Sequence, residues 1–482
     1  MRRRSPATAR TRAVEVLRAV LEKGRSAAPL IGRRAVGLSP ADQDLLRELV
    51  LGVLRWKAAL DAEIAASSRV PFGKLAPNLR ETLEVALYQL RHLDRVPAYA
   101  AVSEAVDHAR SSGGEGAARL VNGILRSILL LPAPSPPSPL PSPPLRGERG
   151  SLRATAPGPP LPAGEGRGEG RSEAEELATY YSHPSFLVAR WLERFGPERT
   201  RRILVQDNSI PFLDLLVNPR RTTRERLRSA LAAENVTTEL SPLAPLALTV
   251  LSGNPLRSRL LTEGHFSVQD VGSQLLPLLL PPGERLVDLA AAPGGKSLAA
   301  LAAGRFRESL AVDRSLERLV RVRENVHRLR IPAIRPVGGD LGALPLPEGR
   351  FERVLLDAPC SGTGTLRKNP EIRYRIRPDA IERLARAQQE ALLAAARLLA
   401  PGGFLLYATC SLEEEENERV VERVLERDSG VEPAAIEAPP VLSEFIRGER
   451  VRLFPDERTD GFTAHLLRRR STVAAPGPQV NR

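Results

Sequence analysis

Two cysteines in 482 residues leave no material for a disulfide framework or a cysteine-rich zinc site. Aromatic residues make up only 4% of the chain, so any core must be built from aliphatic side chains. Lysine is scarce as well: only five of the 70 basic residues are lysine. Long apolar runs are missing. The longest, at residues 275–280, is interrupted by Pro277 and falls far short of the ~20 residues that a bilayer-spanning helix needs. The arginines at 2–4 are not followed by the apolar stretch of a secretory signal. These absences predict a cytoplasmic protein with no membrane partner and no resident metal.

Basic residues outnumber the 57 acids, giving a net charge of +13. Such an excess favours a polyanionic partner, because basic surface attracts and steers phosphate without regard to sequence. An arginine-rich compositional bias accounts for it equally well. The length allows roughly three domains of ~150 residues.

Residues 1–131 show helical spacing, with Val14, Leu17 and Leu21 on one face, then Leu45/Leu46, Leu49/Val50 and Val53/Leu54. Leu79, Leu83, Val85, Ala86 and Leu90 mark another helix, and Val121, Ile124, Leu125 and Ile128 a last one. Pro40, Pro71, Pro77, Pro97 and the pair Gly113-Gly114 punctuate these segments. Composition then shifts to Pro, Ser, Gly and Arg over 132–172, too poor in apolar surface to offset the entropy of ordering, which predicts a linker or insertion. A helical stretch with Tyr180, Tyr181, Phe186 and Trp191 opens a small mixed subdomain, 173–262, with candidate strands at 212–217 and 246–251. From 263 to 470 strands alternate with helices: 286–290, 310–313, 354–357 and 404–410. That alternation predicts a parallel α/β sheet with its ligands at the carboxyl ends of the strands. Residues 471–482 read as a tail.

Chemistry concentrates in this last domain. The run Asp288-Leu-Ala-Ala-Ala-Pro-Gly-Gly-Lys296-Ser297 passes from a buried strand into a helix. Gly294 and Gly295 allow close approach to a ligand, and the helix offers its positive end. A phosphate-binding NTPase loop competes here, since Gly295-Lys296-Ser297 supplies its end, but Ala290 stands where its first glycine belongs. Asp313 closes the next strand, suited to accept from ribose hydroxyls or to cap the following helix. Asp340 lies in a Gly-Gly-Asp turn placed to flank an adenine. Asp357-Ala-Pro-Cys360-Ser-Gly-Thr-Gly sets an acid and a thiol at a strand end. Thr409-Cys410-Ser411 precedes an acidic run, and Ser411 with Glu414 has capping-box spacing, which would put Cys410 just before a helix N-terminus able to stabilise a thiolate. Both cysteines of the chain thus fall at strand ends of one α/β domain, which points to thiol chemistry at one cleft.

In this order and context, AAPGGK, DAPCSGTG and TCS resemble the RNA cytosine-5 methyltransferases of the RsmB/Nop2 family. GHFSVQDVGSQL at 264–275 looks like the segment leading into that family's catalytic domain, and Asp460-Gly461-Phe462 like its closing strand. LVLGVLRW (49–56), LDRVPAYAAVSEAVDHA (93–109) and RLVNGILRSI (119–128) are similar to NusB, a helical RNA-binding fold. The resemblance implies an all-α NusB-like domain ahead of a Rossmann-like domain that uses S-adenosylmethionine. It implies a monomer acting on a cytosine of small-subunit (16S) ribosomal RNA. By motif, Ala290, Ala291, Ala292, Pro293, Gly294, Gly295, Lys296, Asp313, Asp340 and Asp357 would line the methyl-donor site. Cys410 would be the nucleophile, Cys360 would release product, and Asp357 would stabilise the ring at N3. DNA cytosine methyltransferases keep their nucleophile in the Pro-Cys motif, so the roles of Cys360 and Cys410 stay open to exchange. A non-catalytic RNA-binding assembly factor on a degenerate methyltransferase fold is the remaining alternative.

Overall fold

The computed structural model describes residues 8–131 and 172–471. The proposed linker, apart from Ser172, and the tail beyond residue 471 lie outside the described residues. Two compact units result. One comprises the chain up to Ile210 together with Leu366–Arg375; the other comprises Pro211–Thr365 and the chain from Ile376 onward.

The first unit is helical, and its helix ends follow local chemistry. Ala9–Lys23 starts at Thr8, whose side chain accepts from the Thr11 N–H, and stops at Gly24 in a left-handed conformation. Pro40–Ser67 is capped by Ser39 with Pro40 in its first turn. Ala98–Leu130 is broken at Gly114, within the glycine pair that the sequence marks as a breaker. The apolar faces Val14/Leu17, Leu46/Leu49/Val50/Val53/Leu54, Leu83/Ala86 and Val121/Ile124/Leu125/Ile128 meet in one core. Burying four or five such side chains per helix at about 2 kcal/mol each is what holds the bundle, since helix propensity alone is marginal.

The expected subdomain 173–262 is divided. Its helices, Glu173–Tyr181 and Ser185–Asp207, belong to the first unit, and its strands to the second. The physical reason is polar as well as apolar. The Ser182 hydroxyl accepts from the Ala59 N–H at 3.1 Å, and Asp207 and Asn208 accept from Arg373.

The second unit holds two sheets. The smaller is antiparallel and uses β1 (Leu213–Val217), β2 (Thr237–Leu240), β3 (Ala247–Ser252) and β4 (Phe266–Val268) in the order β2-β3-β1-β4. The larger contains β5 (Arg285–Leu289), β6 (Glu308–Asp313), β7 (Ile334–Gly338), β8 (Phe351–Asp357) and β9 (Leu399–Thr409), followed by β10 (Val431–Pro433), β11 (Ile446–Arg447), β12 (Arg450–Leu453) and β13 (Phe462–Arg469). Its order is β11-β12-β13-β9-β8-β5-β6-β7, with β10 beside β13. β9-β8-β5-β6-β7 run parallel and β13 returns antiparallel against β9. After β5 the chain goes one way to β6 and β7, then crosses to β8 and β9 on the other side. The reversal opens a crevice beyond the carboxyl ends of β5 and β8, where open α/β sheets bind ligands. Among the described residues no helix is long and apolar enough to cross a membrane.

Candidate active site

At the tip of β5 the backbone turns abruptly. Ala290 takes a left-handed φ of 59°, a conformation that costs an L-residue roughly 1 kcal/mol or more. Gly294 has φ 92° and heads the helix Gly295–Ala302, and a Cβ there would come within 3.1 Å of Val322. Below the loop, Asp288 is fully buried and its Oδ2 accepts from the Ser297 N–H at 3.1 Å and hydroxyl at 2.7 Å. Burial raises the Asp288 carboxyl to about 6, against the pull of Lys296.

Asp313 braces the same loop from the next strand. Its Oδ2 accepts from the Ala292 N–H at 3.1 Å and its Oδ1 from the Ser315 N–H at 2.9 Å. The cap of the following helix, Leu316–Leu329, is Ser315, so the capping alternative for Asp313 is corrected. Asp340 is exposed, with Oδ1 accepting from the Gly342 N–H at 2.8 Å. It lines a cleft of about 540 Å³ with Arg314, Ser315, Leu316, Gly338 and Gly339.

The two cysteines come together because β8 and β9 are parallel neighbours. Asp357 pairs with Ala408, and the Ala358 N–H donates to the Ala408 carbonyl at 2.8 Å. A few residues further, the Cys360 and Cys410 sulfurs stand 3.3 Å apart, and both residues are half-buried. Lys296 reaches over from the turn after β5 to Asp357. Burial works against the Lys296 ammonium, but Asp357 and Asp288 outweigh it and hold its pKa above the ordinary value. The hydrogen bond with Cys410 and then burial push the Cys360 thiol well up, with Glu416 and Asp357 adding to the effect. Cys360 therefore stays a protonated thiol at neutral pH.

The anticipated capping box does not form. Ser411 Oγ accepts from the Glu413 N–H at 3.0 Å, residues Glu414–Glu416 make a 3-10 turn, and the α-helix starts only at Glu418. Cys410 accordingly does not sit at a helix N-terminus. Its setting is made instead by loop contacts. The Gly364 N–H donates to the Cys410 carbonyl at 2.9 Å, and the Leu412 N–H donates to Thr363 Oγ1 at 2.9 Å.

Sequence reasoning missed four participants: Gln269, Thr363, Gln388 and Glu416. Gln269 is buried against Gly295, and its side-chain amide finds no hydrogen-bond partner among the described residues. Thr363, Gln388 and Glu416 are buried and bonded to the two cysteine loops. The available signal was the acidic run, but a glutamate-rich stretch ahead of a helix has an ordinary electrostatic explanation that hides its buried members, Glu413 and Glu416.

An open parallel sheet, a nucleoside-type loop at its switch point and a thiol pair beside it define a Rossmann-like methyltransferase, here carried with a helical domain. Residues 276–468 match the model described as 16S rRNA methyltransferase RsmB/F, 7–129 match the NusB family, and 183–257 match the ferredoxin-like domain of RsmF/B-like methyltransferases. The chain is 34% identical to the probable ribosomal RNA small subunit methyltransferase B of Synechocystis sp., over 88% of this chain and 91% of that one. It is 31% identical to the Bacillus subtilis protein described in the same words, over 90% and 92%. The crystal structure of PH0851 superposes with a TM-score of 0.72 at 26% identity, covering 96% of this chain and 99% of that one. The chain belongs to the RsmB/F family of 16S rRNA methyltransferases, with a NusB-like domain at its N-terminal side.

Proposed function

We propose that the protein transfers a methyl group from S-adenosylmethionine to C5 of a cytosine in 16S ribosomal RNA, with Cys410 as nucleophile. The observation that carries this reading is the thiol pair at 3.3 Å beside the Lys296–Asp357 ion pair. Cytosine C5 is too weak a nucleophile to take a methyl group unaided. When the Cys410 sulfur adds to C6, the electron pair moves to C5, which then takes the methyl group. Asp357, at the rim of the same crevice, stabilises the ring at N3 as charge develops. Water or a base takes the C5 proton, the C6–sulfur bond breaks, and its electron pair returns to sulfur as the thiolate. Cys360, protonated and in contact with Cys410, is suited to donate a hydrogen bond to that sulfur as it leaves C6.

The residues present fit the donor. Gln269 offers an unpartnered buried amide beside Gly295, Gly294 leaves a cradle that a Cβ would crowd, and Asp313 and Asp340 flank the path toward the cleft beside Gly338. When bound, the donor supplies an electrophilic methyl group. Ala290 to Lys296 would hold its amino-acid end, Asp313 its ribose and Asp340 its base. The target base must leave its stack to reach the sulfurs. The net charge of +13 supports an RNA backbone as the partner that brings it there.

Cysteine variants test the proposal directly. Cys410→Ala abolishes methylation and any covalent RNA complex. Cys360→Ala lets the complex accumulate as a slow band on a denaturing gel. Adduct formation by Cys410→Ala and its loss in Cys360→Ala would exchange the two roles. Absence of methylation in the wild type, with RNA still bound, would favour an assembly factor. Bisulfite sequencing of ribosomal RNA from cells with and without the gene locates the cytosine.

A further inference from the structure

Both cysteine loops end on one buried carboxylate. Glu416 has no exposed surface. Its Oε1 accepts from the Ser361 N–H at 2.8 Å and from Gln388 Nε2 at 3.0 Å. Its Oε2 accepts from the Ser411 hydroxyl at 2.6 Å and from the Ser361 hydroxyl. Ser361 directly follows Cys360, and Ser411 directly follows Cys410. Gln388 also donates to the carbonyl of Pro359, the residue before Cys360, at 2.9 Å. The glutamate backbone is tied down in turn, since the Tyr407 hydroxyl on β9 donates to the Glu416 carbonyl at 2.6 Å. Burying a carboxylate is expensive unless its lone pairs are filled, and these four donors, three from the two loops and one from Gln388 on the helix Pro378–Arg397, fill them at once. Neither loop can shift without breaking a bond to the group that holds the other.

We infer that Glu416 is a positioning residue for methyl transfer, its single carboxylate locking the loops after β8 and β9 together so that the Cys360 and Cys410 sulfurs stay in contact. Its value to the reaction rests on the proposal that both thiols act on one base. A misplacement of about 1 Å at such a site costs on the order of a hundredfold in rate. The charge of Glu416 serves the same division of labour, since it helps keep the Cys360 thiol protonated.

The test uses the full chain with Glu416→Ala and Glu416→Gln. Glutamine keeps the acceptor facing the Ser361 N–H and Gln388, and its amide donates to hydroxyls that turn to accept, so geometry survives while charge is lost. Sulfur contact is read with phenylarsine oxide, whose arsenic binds two thiols as its oxygen leaves with their protons as water. The wild type and Glu416→Gln capture one arsenical per chain. Glu416→Ala captures it at least about tenfold more weakly, while iodoacetamide still alkylates each cysteine separately. In turnover, Glu416→Ala loses about a hundredfold in kcat with little change in KM for S-adenosylmethionine, and Glu416→Gln recovers most of that loss. Capture of the arsenical by folded Glu416→Ala with wild-type affinity would overturn the inference. Should the alanine variant not fold, Ser361→Ala combined with Ser411→Ala removes two of the four bonds, and unchanged capture there overturns it equally. Arsenical capture needs neither RNA nor methyl donor, so it decides the role of Glu416 even if the cysteine variants disprove the covalent mechanism.

Discussion

Lys296 Nζ lies 2.5 Å from Asp357 Oδ2, joining the start of the helix after β5 to the end of β8 across the crevice between them. Each side chain keeps some contact with solvent, at 19% and 28% exposure, so the pair is neither sealed nor fully screened. It therefore sits where a bound nucleoside and a target base would both feel it.

The two residues are expected to act as a unit. Lys296→Gln and Asp357→Asn should each lower kcat/KM, and the double variant should lose less than the sum, with a coupling on the order of 1–3 kcal/mol. A double-mutant cycle on methyl transfer measures it. Strict additivity would separate their roles.

Gly364 is expected to tolerate no side chain. A Cβ there would lie 2.4 Å from the Gly461 carbonyl oxygen and 3.0 Å from that of Cys410, both backbone atoms that cannot swing aside. Gly364→Ala should cost about 1–3 kcal/mol of stability and reduce turnover by about a hundredfold, because relief of the clash moves the Cys410 loop. Thermal unfolding and single-turnover rates check both; wild-type rates would show the loop to be more yielding than its packing implies.

Acid should destabilise each unit through a buried neutral histidine. In the first unit His92 stacks on Trp56 and Tyr88, and burial brings it down to about 4; in the second, burial does the same to His465. The folded pKa is depressed, so the unfolded chain takes up a proton at higher pH than the folded one. Each histidine's contribution to stability is complete above about 6.5 and is lost as pH falls toward 4, by roughly 3 kcal/mol for each residue. Urea unfolding across that range should show the slope, and His92→Phe and His465→Phe should each flatten the transition of its own unit.

Arg373 should be indispensable to the first unit. Its guanidinium is buried and donates to the carbonyls of Arg55 at 2.9 Å and Asp207 at 2.8 Å and to Asn208 Oδ1 at 2.7 Å. Burial lowers its pKa to about 10. Arg373→Met leaves those acceptors unpaired at a cost of about 3–5 kcal/mol, which far-UV circular dichroism would register as an earlier transition. An unchanged midpoint would mean that water replaces the guanidinium freely.

Much of this architecture was legible because it is local. Apolar spacing located the helical cores, and β5, β6, β8 and β9 begin and end within a few residues of the expected runs. β7 went unseen because Ile334–Gly338 interrupts its apolar residues, Ile334 and Val337, with an arginine and a proline. β2 is too polar to announce itself, and β4, at three residues, is too short. The site motifs were visible in the sequence, but the contact between the cysteines depends on the register of two strands some fifty residues apart, which no local pattern encodes. The acidic run shows the same limit. Glu413 to Glu416 read alike as letters, yet Glu416 faces inward to both loops while Glu414 does not.

The decapeptide 366–375 completes the helical unit from far downstream, with the Tyr374 hydroxyl donating to the Leu54 carbonyl at 2.6 Å and Glu371 accepting from the Ala27 N–H at 3.1 Å. A ribosome delivers the chain from its amino end, so the helices synthesised first must wait, with these bonds unmade, until most of the α/β unit has also emerged. The two halves thus share a timetable: the earliest-made part of the molecule is among the last to be finished.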